Sequence, residues 1–350
     1  MVKRNAKVRK ILIRGYGNYL KMEKGCFVLK ESKGRETRYP ALEMDLGEVE
    51  LAEGNVITTG ALAYCALWFI DVAITTRFGE PVAYLKNFLD DSNVNTRIQQ
   101  YESLKNGKSL YLLKQFATGK IEGQNLVLGR YGLESYPHAV EMIRALLESD
   151  LARLRSRVLR VEGKYAQHYF RQIYSLFPEG IRPLARVSYE AYAGLNNVFN
   201  LCYTFLKWKV YRAIVNAHLE PFLGYLHSNL NPFRPNLVCD FMELYRYLID
   251  DFLIQNCKTL TKKDFCVKTV TVSHRKVKRM FLKEELASEL IDKLHGYFRN
   301  TVAIPRIRSG RKQEIETLIN EEAYLLAQYL RGERESWNPR ITSLSSLSSI

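Results

Sequence analysis

The hydrophobic pattern changes near residue 90, and this change constrains the fold more than any other feature. Before it, short apolar runs at 11–14, 26–30 and 55–59 alternate with glycines and charged turns, which is typical of β-strands, and one helix is predicted over 60–69. After the polar stretch 90–95, apolar residues recur at helical spacing, as in Leu237, Phe241, Leu244, Leu248 and Phe252. We predict an α+β fold: a β-rich domain over 1–88, a linker over 89–95, a larger all-α helical domain over 96–335 and a flexible serine-rich tail over 336–350.

The composition indicates an ordinary folded protein with a strongly basic surface. Lys and Arg number 52 against 37 Asp and Glu, so the 350-residue chain has a formal net charge of +15. This excess attracts nucleic-acid phosphate, although acidic proteins and membrane surfaces attract such chains too. None of the six cysteines forms a C-x-x-C pair, so neither a zinc ribbon nor a redox motif is expected. The longest apolar run, 61–70, is too short to span a bilayer, and the basic N-terminus is not a signal peptide. We expect a cytoplasmic protein that is not bound to a membrane.

Three short patches each place a strong metal-ligand residue in apolar or aromatic surroundings. They are EGKYAQHYF at 162–170, GYLHSN at 224–229 and CDFMELYR at 239–246, and they contribute Glu162, His227 and Asp240, with Glu243 one helical turn later. Carboxylates with an imidazole suit a divalent cation, and the imidazole favours Mn²⁺ over Mg²⁺ somewhat. An acidic metal pocket inside a basic protein indicates chemistry on the phosphates of nucleic acid.

Each of these residues also has an ordinary structural explanation. Glu162 could be an N-terminal helix glutamate stabilised by the helix dipole. His227 could be a structural histidine, and His168 is its main rival as a ligand. Asp240 and Glu243, at i and i+3, would stack on one helical face and repel each other unless a cation lies between them.

Basic residues supply candidates for holding DNA. Arg246, one turn beyond Glu243, either binds a DNA phosphate or forms an ordinary ion pair with Glu243. A basic run further along gives four more phosphate candidates, each of which could equally be a solvated surface residue: Arg275, Lys276, Lys278 and Arg279. Asp250 and Asp251 continue the acidic run, and we expect them to be exposed to solvent.

The motifs, taken in their order, resemble those of the CRISPR-associated integrase family, the universal first Cas protein of spacer adaptation. The resemblance rests on EGKYAQHYF, an N-x-x-x-N-x-x-Y-x-x-L pattern from Asn196 to Leu206, GYLH and DFMELYR, and on GYGNYL, EGNVITT and NTRIQQYE in the first third. It implies a β-sandwich-like dimerisation domain followed by a helical, metal-dependent catalytic domain. It also implies that Glu162, His227 and Asp240 are the catalytic metal ligands, with Glu243 as a possible additional acid.

The same resemblance implies an activity and its partners. Such a protein would insert new spacer DNA into a CRISPR array by transesterification, in which a 3′-hydroxyl attacks a repeat phosphodiester with the help of Mg²⁺ or Mn²⁺. Its partners would be double-stranded and branched DNA, a second copy of itself, and the small companion adaptation protein. Two alternatives remain open: a metal-dependent nuclease of branched or single-stranded DNA, and a non-catalytic DNA-binding scaffold with a degenerate site.

Overall fold

The computed structural model divides the chain into two compact units, with the boundary between residues 92 and 93. It describes residues 10–41, 46–77, 79, 81–87, 93–187, 194–227, 234–272, 275–299, 301–303 and 312–344, the side chains of 270–272, 275, 301–303 and 312 excepted. A strand-rich region precedes a mainly helical one, which confirms the predicted α+β class.

The N-terminal unit contains two four-stranded sheets. Its strands are β1 (Lys10–Ile13), β2 (Tyr19–Glu23), β3 (Cys26–Lys30), β4 (Glu36–Pro40), β5 (Glu48–Ala52), β6 (Val56–Ile57), β7 (Asp71–Thr75) and β8 (Pro81–Leu85). One sheet has the order β1-β5-β7-β8 and the other β4-β3-β2-β6. In the first, β1, β5 and β7 run parallel and β8 antiparallel; in the second, β2 pairs antiparallel with β3 and parallel with β6.

One apolar core joins both sheets to helix α1 (Thr59–Leu67). Ile11 and Val49 come from the first sheet, Leu20 and Phe27 from the second, and Cys65 from α1, and all are buried. The helix begins where Thr58 accepts a hydrogen bond from the Ala61 N–H through its side chain, a standard N-cap. The alternation of apolar and polar residues that predicts strands here therefore builds one core between two sheets.

The larger unit is a helical assembly that also contains two short antiparallel strand pairs. Its helices are α2 (Val94–Glu102), α3 (Lys108–Arg130), α4 (His138–Ala145), α5 (Leu151–Ser175), α6 (Gly194–Asn216), α7 (Asn236–Glu243), α8 (Arg246–Cys257), α9 (Glu284–Phe298) and α10 (Ile315–Arg331). The pairs are β9 (Phe265–Val272) with β10 (Arg275–Leu282), and β11 (Thr301–Ala303) with β12 (Lys312–Glu314). Across the described ranges, no helix is long and apolar enough to cross a membrane.

Aromatic side chains fill the core of the helical unit. Phe116 of α3, Tyr169 of α5, Phe199 of α6 and Phe241 of α7 are fully buried. The apolar stripe predicted from Leu237 to Phe252 is buried throughout, although the chain turns between α7 and α8 rather than continuing as one helix. This core fixes the relative positions of α3, α5 and α7, which carry the candidate site.

The C-terminal segment packs against the helices where the composition predicted a flexible tail. Trp337 and Leu344 are buried, and the Tyr111 hydroxyl donates a hydrogen bond to the Trp337 carbonyl at 2.8 Å. Tyr247 donates to the Thr342 carbonyl at 3.0 Å. Trp337 and Leu344 thus anchor a segment that is otherwise mostly polar. Residues 345–350 lie outside the described part of the chain.

A buried acid beneath this segment predicts a pH dependence of stability. Burial raises the pKa of Glu322 in α10 from 4.5 to about 7, although Arg340 and Trp337 oppose the rise. Because the folded state binds the Glu322 proton more tightly than the unfolded state does, the protonated acid contributes to the free energy of unfolding. This contribution is complete below pH 4.5 and is lost as the pH rises through 7. Its loss lowers the free energy of unfolding by up to about 3 kcal/mol. We expect the free energy of unfolding to fall more steeply between pH 5 and 8 in the wild type than in Glu322→Gln, measured by chemical denaturation. Parallel profiles would contradict this assignment.

Candidate metal centre

Two predicted acids meet across the helix interface at a buried lysine. Lys120 of α3 donates a hydrogen bond to Glu162 of α5, and its Nζ lies 2.9 Å from Oε2 of Glu243, the last residue of α7. The Lys120 and Glu162 side chains are 11% and 14% exposed, and Glu243 only 3%. Glu162 lies in the middle of α5, so the alternative of an N-terminal helix glutamate is wrong. The structure therefore gathers two carboxylates around one cation.

His227 and Asp240 form a second contact, between the loop after residue 219 and α7. The His227 Nδ1 lies 2.6 Å from Asp240 Oδ1. Asp240 also accepts hydrogen bonds from three backbone N–H groups, those of Tyr225 (2.5 Å), Leu226 (2.9 Å) and His227 (2.9 Å). These four hydrogen bonds, one from the ring and three from the backbone, match the roughly four lone-pair positions of a carboxylate. The Asp240 side chain is also fully buried. A carboxylate accepts from the ring in this contact, so Nδ1 carries the hydrogen that faces Asp240, and Nε2 is the ring nitrogen that Asp240 does not contact.

The loop that carries His227 is supported from several helices. Arg155 of α5 donates to the Tyr225 carbonyl through Nε (3.1 Å) and Nη2 (2.9 Å). The Tyr225 hydroxyl shares a 2.8 Å hydrogen bond with Ser103. Gln100 of α2, fully buried, accepts from the Glu220 N–H at 2.7 Å and donates to the Glu220 carbonyl at 3.1 Å. These contacts fix the backbone whose N–H groups hold Asp240.

Gly224 permits the close approach of this loop to α7, and its replacement is expected to be damaging. A Cβ on Gly224 would lie 2.6 Å from the Asn236 Cβ, 2.8 Å from its carbonyl carbon and 2.9 Å from Asp240 Oδ2. Because all three atoms belong to a buried helix start or a buried carboxylate, we expect Gly224→Ala to cost about 1–3 kcal/mol of stability. Thermal denaturation measures this. Gly163→Ala, next to Glu162 in a position with no atom within 4 Å, is the matched control and should be at least as stable as wild type. Equal stability of the two variants would contradict the proposed packing.

The charges around Glu243 hold it ionised. Burial alone would raise the pKa of Glu243, but Arg246, Lys120 and His227 outweigh it and lower the pKa to about 2. Burial disfavours the charged form of Lys120 too and would lower its pKa. The negative charges of Glu243 and Glu162 outweigh burial, so the pKa of Lys120 is raised. Arg246 Nη2 lies 3.2 Å from Glu243 Oε1, and its guanidinium lies over the Tyr203 ring. The ion pair with Glu243, one of the two alternatives for Arg246, is therefore present.

The remaining predicted site residues have other surroundings. His168, the rival ligand, packs its ring near that of Tyr136, with centroids 5.9 Å apart. On β10, Lys276 and Lys278 are exposed and Arg279 is partly buried, while the Arg275 side chain lies outside the described part. In the described ranges, no group of three or more His, Cys, Asp and Glu side chains is arranged to hold a metal ion. The imidazole of His227 contacts Asp240, and Lys120 contacts both Glu162 and Glu243.

Asp250 and Asp251 are buried, and the expectation that they are exposed is wrong. Asp250 accepts hydrogen bonds from the Tyr169 hydroxyl at 2.7 Å and the Tyr203 hydroxyl at 2.5 Å. Burial raises its pKa to about 6, against the effect of these two donors. Asp251 accepts from the Tyr131 hydroxyl at 2.9 Å and lies 3.2 Å from Arg130 Nη1. Tyr169 of α5 and Tyr203 of α6 thus partner a buried acid four residues beyond Arg246.

Comparison with known proteins gives the family. The model of the CRISPR associated protein Cas1 family matches residues 11–294. A CRISPR-associated endonuclease Cas1 of Korarchaeum cryptofilum is 25% identical over 95% of this chain and 97% of its own length. One from Pyrobaculum aerophilum is 31% identical over 71% of this chain and 83% of its own. The chain is therefore a member of the Cas1 family, as the motifs indicated.

Solved structures show the same fold. A casposase bound to integration product superposes with a TM-score of 0.75 at 17% identity, covering 98% of this chain and 96% of the casposase chain. A chain of a Cas6-RT-Cas1–Cas2 complex superposes with a TM-score of 0.71 at 17% identity, covering 96% of this chain and 36% of that longer one. At these identities, the likeness concerns the fold alone.

Proposed function

We propose that this protein is a divalent-metal-dependent DNA integrase that inserts spacer DNA into a CRISPR array. Membership of the Cas1 family and the endonuclease names of its relatives support nucleic-acid chemistry. The observation that carries the proposal is the meeting of Glu162 and Glu243 at one cation, with Asp240, three residues before Glu243 on α7, holding the ring of His227. A buried pair of carboxylates that already attracts a cation is suited to a divalent ion.

We assign the metal ligands as Glu162, Glu243 and Nε2 of His227. Asp240, the third ligand in the sequence-based interpretation, already accepts four hydrogen bonds and has none of its surface exposed. It is better placed to orient the histidine, as carboxylates behind metal-bound imidazoles do. Glu243 takes the role of the direct acid. Two carboxylates and one imidazole suit Mg²⁺ and Mn²⁺, with a preference for Mn²⁺.

The chain's own residues would prepare the phosphodiester for attack. A bound divalent ion would supply Lewis acidity and stabilise negative charge at the phosphate. Arg246, whose side chain is 28% exposed, would contact a phosphate oxygen while keeping its ion pair with Glu243. Asp240 would keep His227 in one tautomer throughout. A DNA 3′-hydroxyl as nucleophile gives joining, and water gives cleavage at the same site.

The proposed partners are DNA, a second copy of the chain and a small Cas2-like protein. Lys276 and Lys278 are exposed on β10 and would contact phosphates, making the affinity sensitive to salt. The consecutive apolar side chains Leu67, Trp68 and Phe69 are 71%, 59% and 61% exposed, which supports a second copy packing on the N-terminal unit. The likeness to a chain of a complex that contains Cas2 supports the third partner.

An integration assay separates this proposal from its alternatives. The protein is incubated with Mn²⁺, a supercoiled plasmid carrying a repeat array and a labelled short duplex, with and without a Cas2 partner. Covalent incorporation of label in wild type, lost in Glu162→Gln, is the expected result. Cleavage without incorporation would favour the nuclease, and neither activity in a folded, Mn²⁺-bound protein would favour the scaffold.

A further inference from the structure

The charges at the candidate centre are already balanced without a metal ion. Two carboxylates, Glu162 and Glu243, contact two cationic side chains, Lys120 and Arg246. Lys120 is the cation shared by the two glutamates to which a metal would bind. A divalent ion would therefore add its whole charge to a neutral cluster.

That excess of positive charge has one natural compensation, the phosphate of the substrate. An ammonium and a divalent ion sharing the same two carboxylates repel each other strongly in a site with little exposure to water. A DNA phosphate bound to the ion and to Arg246 would offset this repulsion. Metal and DNA would then each strengthen the binding of the other, because coupling between two ligands is reciprocal.

We propose that Lys120 is a positioning residue that makes metal binding depend on DNA. In the free protein it holds Glu162 and Glu243 together and keeps the affinity for the ion low. When DNA is present, the phosphate neutralises the added charge, so the ion binds beside Lys120. This inference rests on the proposed function, since it assumes a metal at Glu162 and Glu243. A purely structural lysine would also stabilise the fold, but its removal would not raise the affinity for a divalent ion.

Mn²⁺ titration of the full-length protein tests the proposal. Mn²⁺ binding is measured by calorimetry and by the electron paramagnetic resonance of free Mn²⁺, with and without a short DNA duplex. We expect Lys120→Met to bind Mn²⁺ about tenfold to a hundredfold more tightly than wild type without DNA. We expect the gain in affinity on adding DNA to be smaller in this variant. Thermal denaturation should show a lower midpoint without Mn²⁺ and a larger rise on adding it.

Two further variants control for charge and for folding. Lys114→Met removes a half-buried lysine of the same helix whose Nζ donates to the Arg144 and Leu146 carbonyls and contacts neither glutamate, and it should bind Mn²⁺ as wild type does. Lys120→Arg keeps the positive charge and should retain the weak binding. If Lys120→Met is too unstable without the ion, the dependence of its denaturation midpoint on Mn²⁺ concentration gives its affinity, which should still exceed that of wild type.

The outcomes separate this inference from the proposed function. Suppose that wild type binds Mn²⁺ with DNA and that a folded Lys120→Met binds it, without DNA, no more tightly than wild type does. This pair of results overturns the role of Lys120 and leaves the metal centre intact. Wild type that binds no Mn²⁺ even with DNA overturns both. Tighter binding in Lys120→Met and in Lys120→Arg alike would overturn the role of charge.

Discussion

Glu243→Gln is expected to lose nearly all Mn²⁺-dependent cleavage and joining, to below about 1% of the wild-type rate, because a direct metal ligand is lost. The substitution keeps the size of the side chain but removes the charge that faces Lys120 and Arg246. It is therefore also expected to lower stability by about 3–5 kcal/mol, the usual result of breaking a buried ion pair. Activity should be measured on the plasmid substrate at a temperature where denaturation curves show the variant folded.

A second variant tests whether the removal of any nearby carboxylate lowers the activity. Glu122 of α3 lies 2.7 Å from Arg144 through Oε1, and its side chain is 38% exposed. Glu122→Gln should retain wild-type activity, because exposed ion pairs contribute little. A folded Glu243→Gln variant with substantial activity would remove Glu243 from the metal centre.

Asp240→Asn is expected to be damaging for a different reason. Its amide NH₂ would face N–H donors of Tyr225, Leu226 or His227, which now meet carboxylate oxygens, so we expect a loss of about 1–3 kcal/mol in stability. The loss of the fixed His227 ring should weaken metal binding about 10–100-fold. Activity should fall at low Mn²⁺ and recover in part at high Mn²⁺, measured as a titration of the rate.

The comparison of the two variants distinguishes a ligand from a residue that orients one. High Mn²⁺ should rescue Asp240→Asn and fail to rescue Glu243→Gln. The reverse pattern would restore Asp240 as the direct ligand and give Glu243 the supporting role.

The sequence predicted the class of fold because the class depends on local patterns, and local patterns also selected the residues of the candidate site. Apolar periodicity identified the buried stripe from Leu237 to Phe252, and acids or a histidine among aromatics marked three patches that meet in space. The roles of Asp240 and Glu243 could not be separated in this way. They lie three residues apart on one helix, and only the docking of the Gly224–His227 loop determines which carboxylate accepts the backbone N–H groups.

Long-range partners are the other feature that local patterns do not contain. Lys120 lies 42 residues from Glu162 and Gln100 lies 120 residues from Glu220, and neither pairing leaves a periodic signal. Asp250 and Asp251 look like solvated acids until Tyr169, Tyr203 and Tyr131 are placed beside them. The burial of Trp337 is also absent from the local pattern, because its neighbours in the sequence are mostly polar and its packing depends on helices far away in the chain.

The proposed metal centre is tested most directly by a crystal structure of the protein soaked in Mn²⁺ with a DNA duplex, with anomalous data collected near the manganese edge. We expect one strong peak about 2.0–2.3 Å from an oxygen of Glu162, an oxygen of Glu243 and Nε2 of His227, with Asp240 still hydrogen-bonded to Nδ1. A peak coordinated by Asp240 in place of Glu243, or no peak between the two glutamates at saturating Mn²⁺, would contradict it.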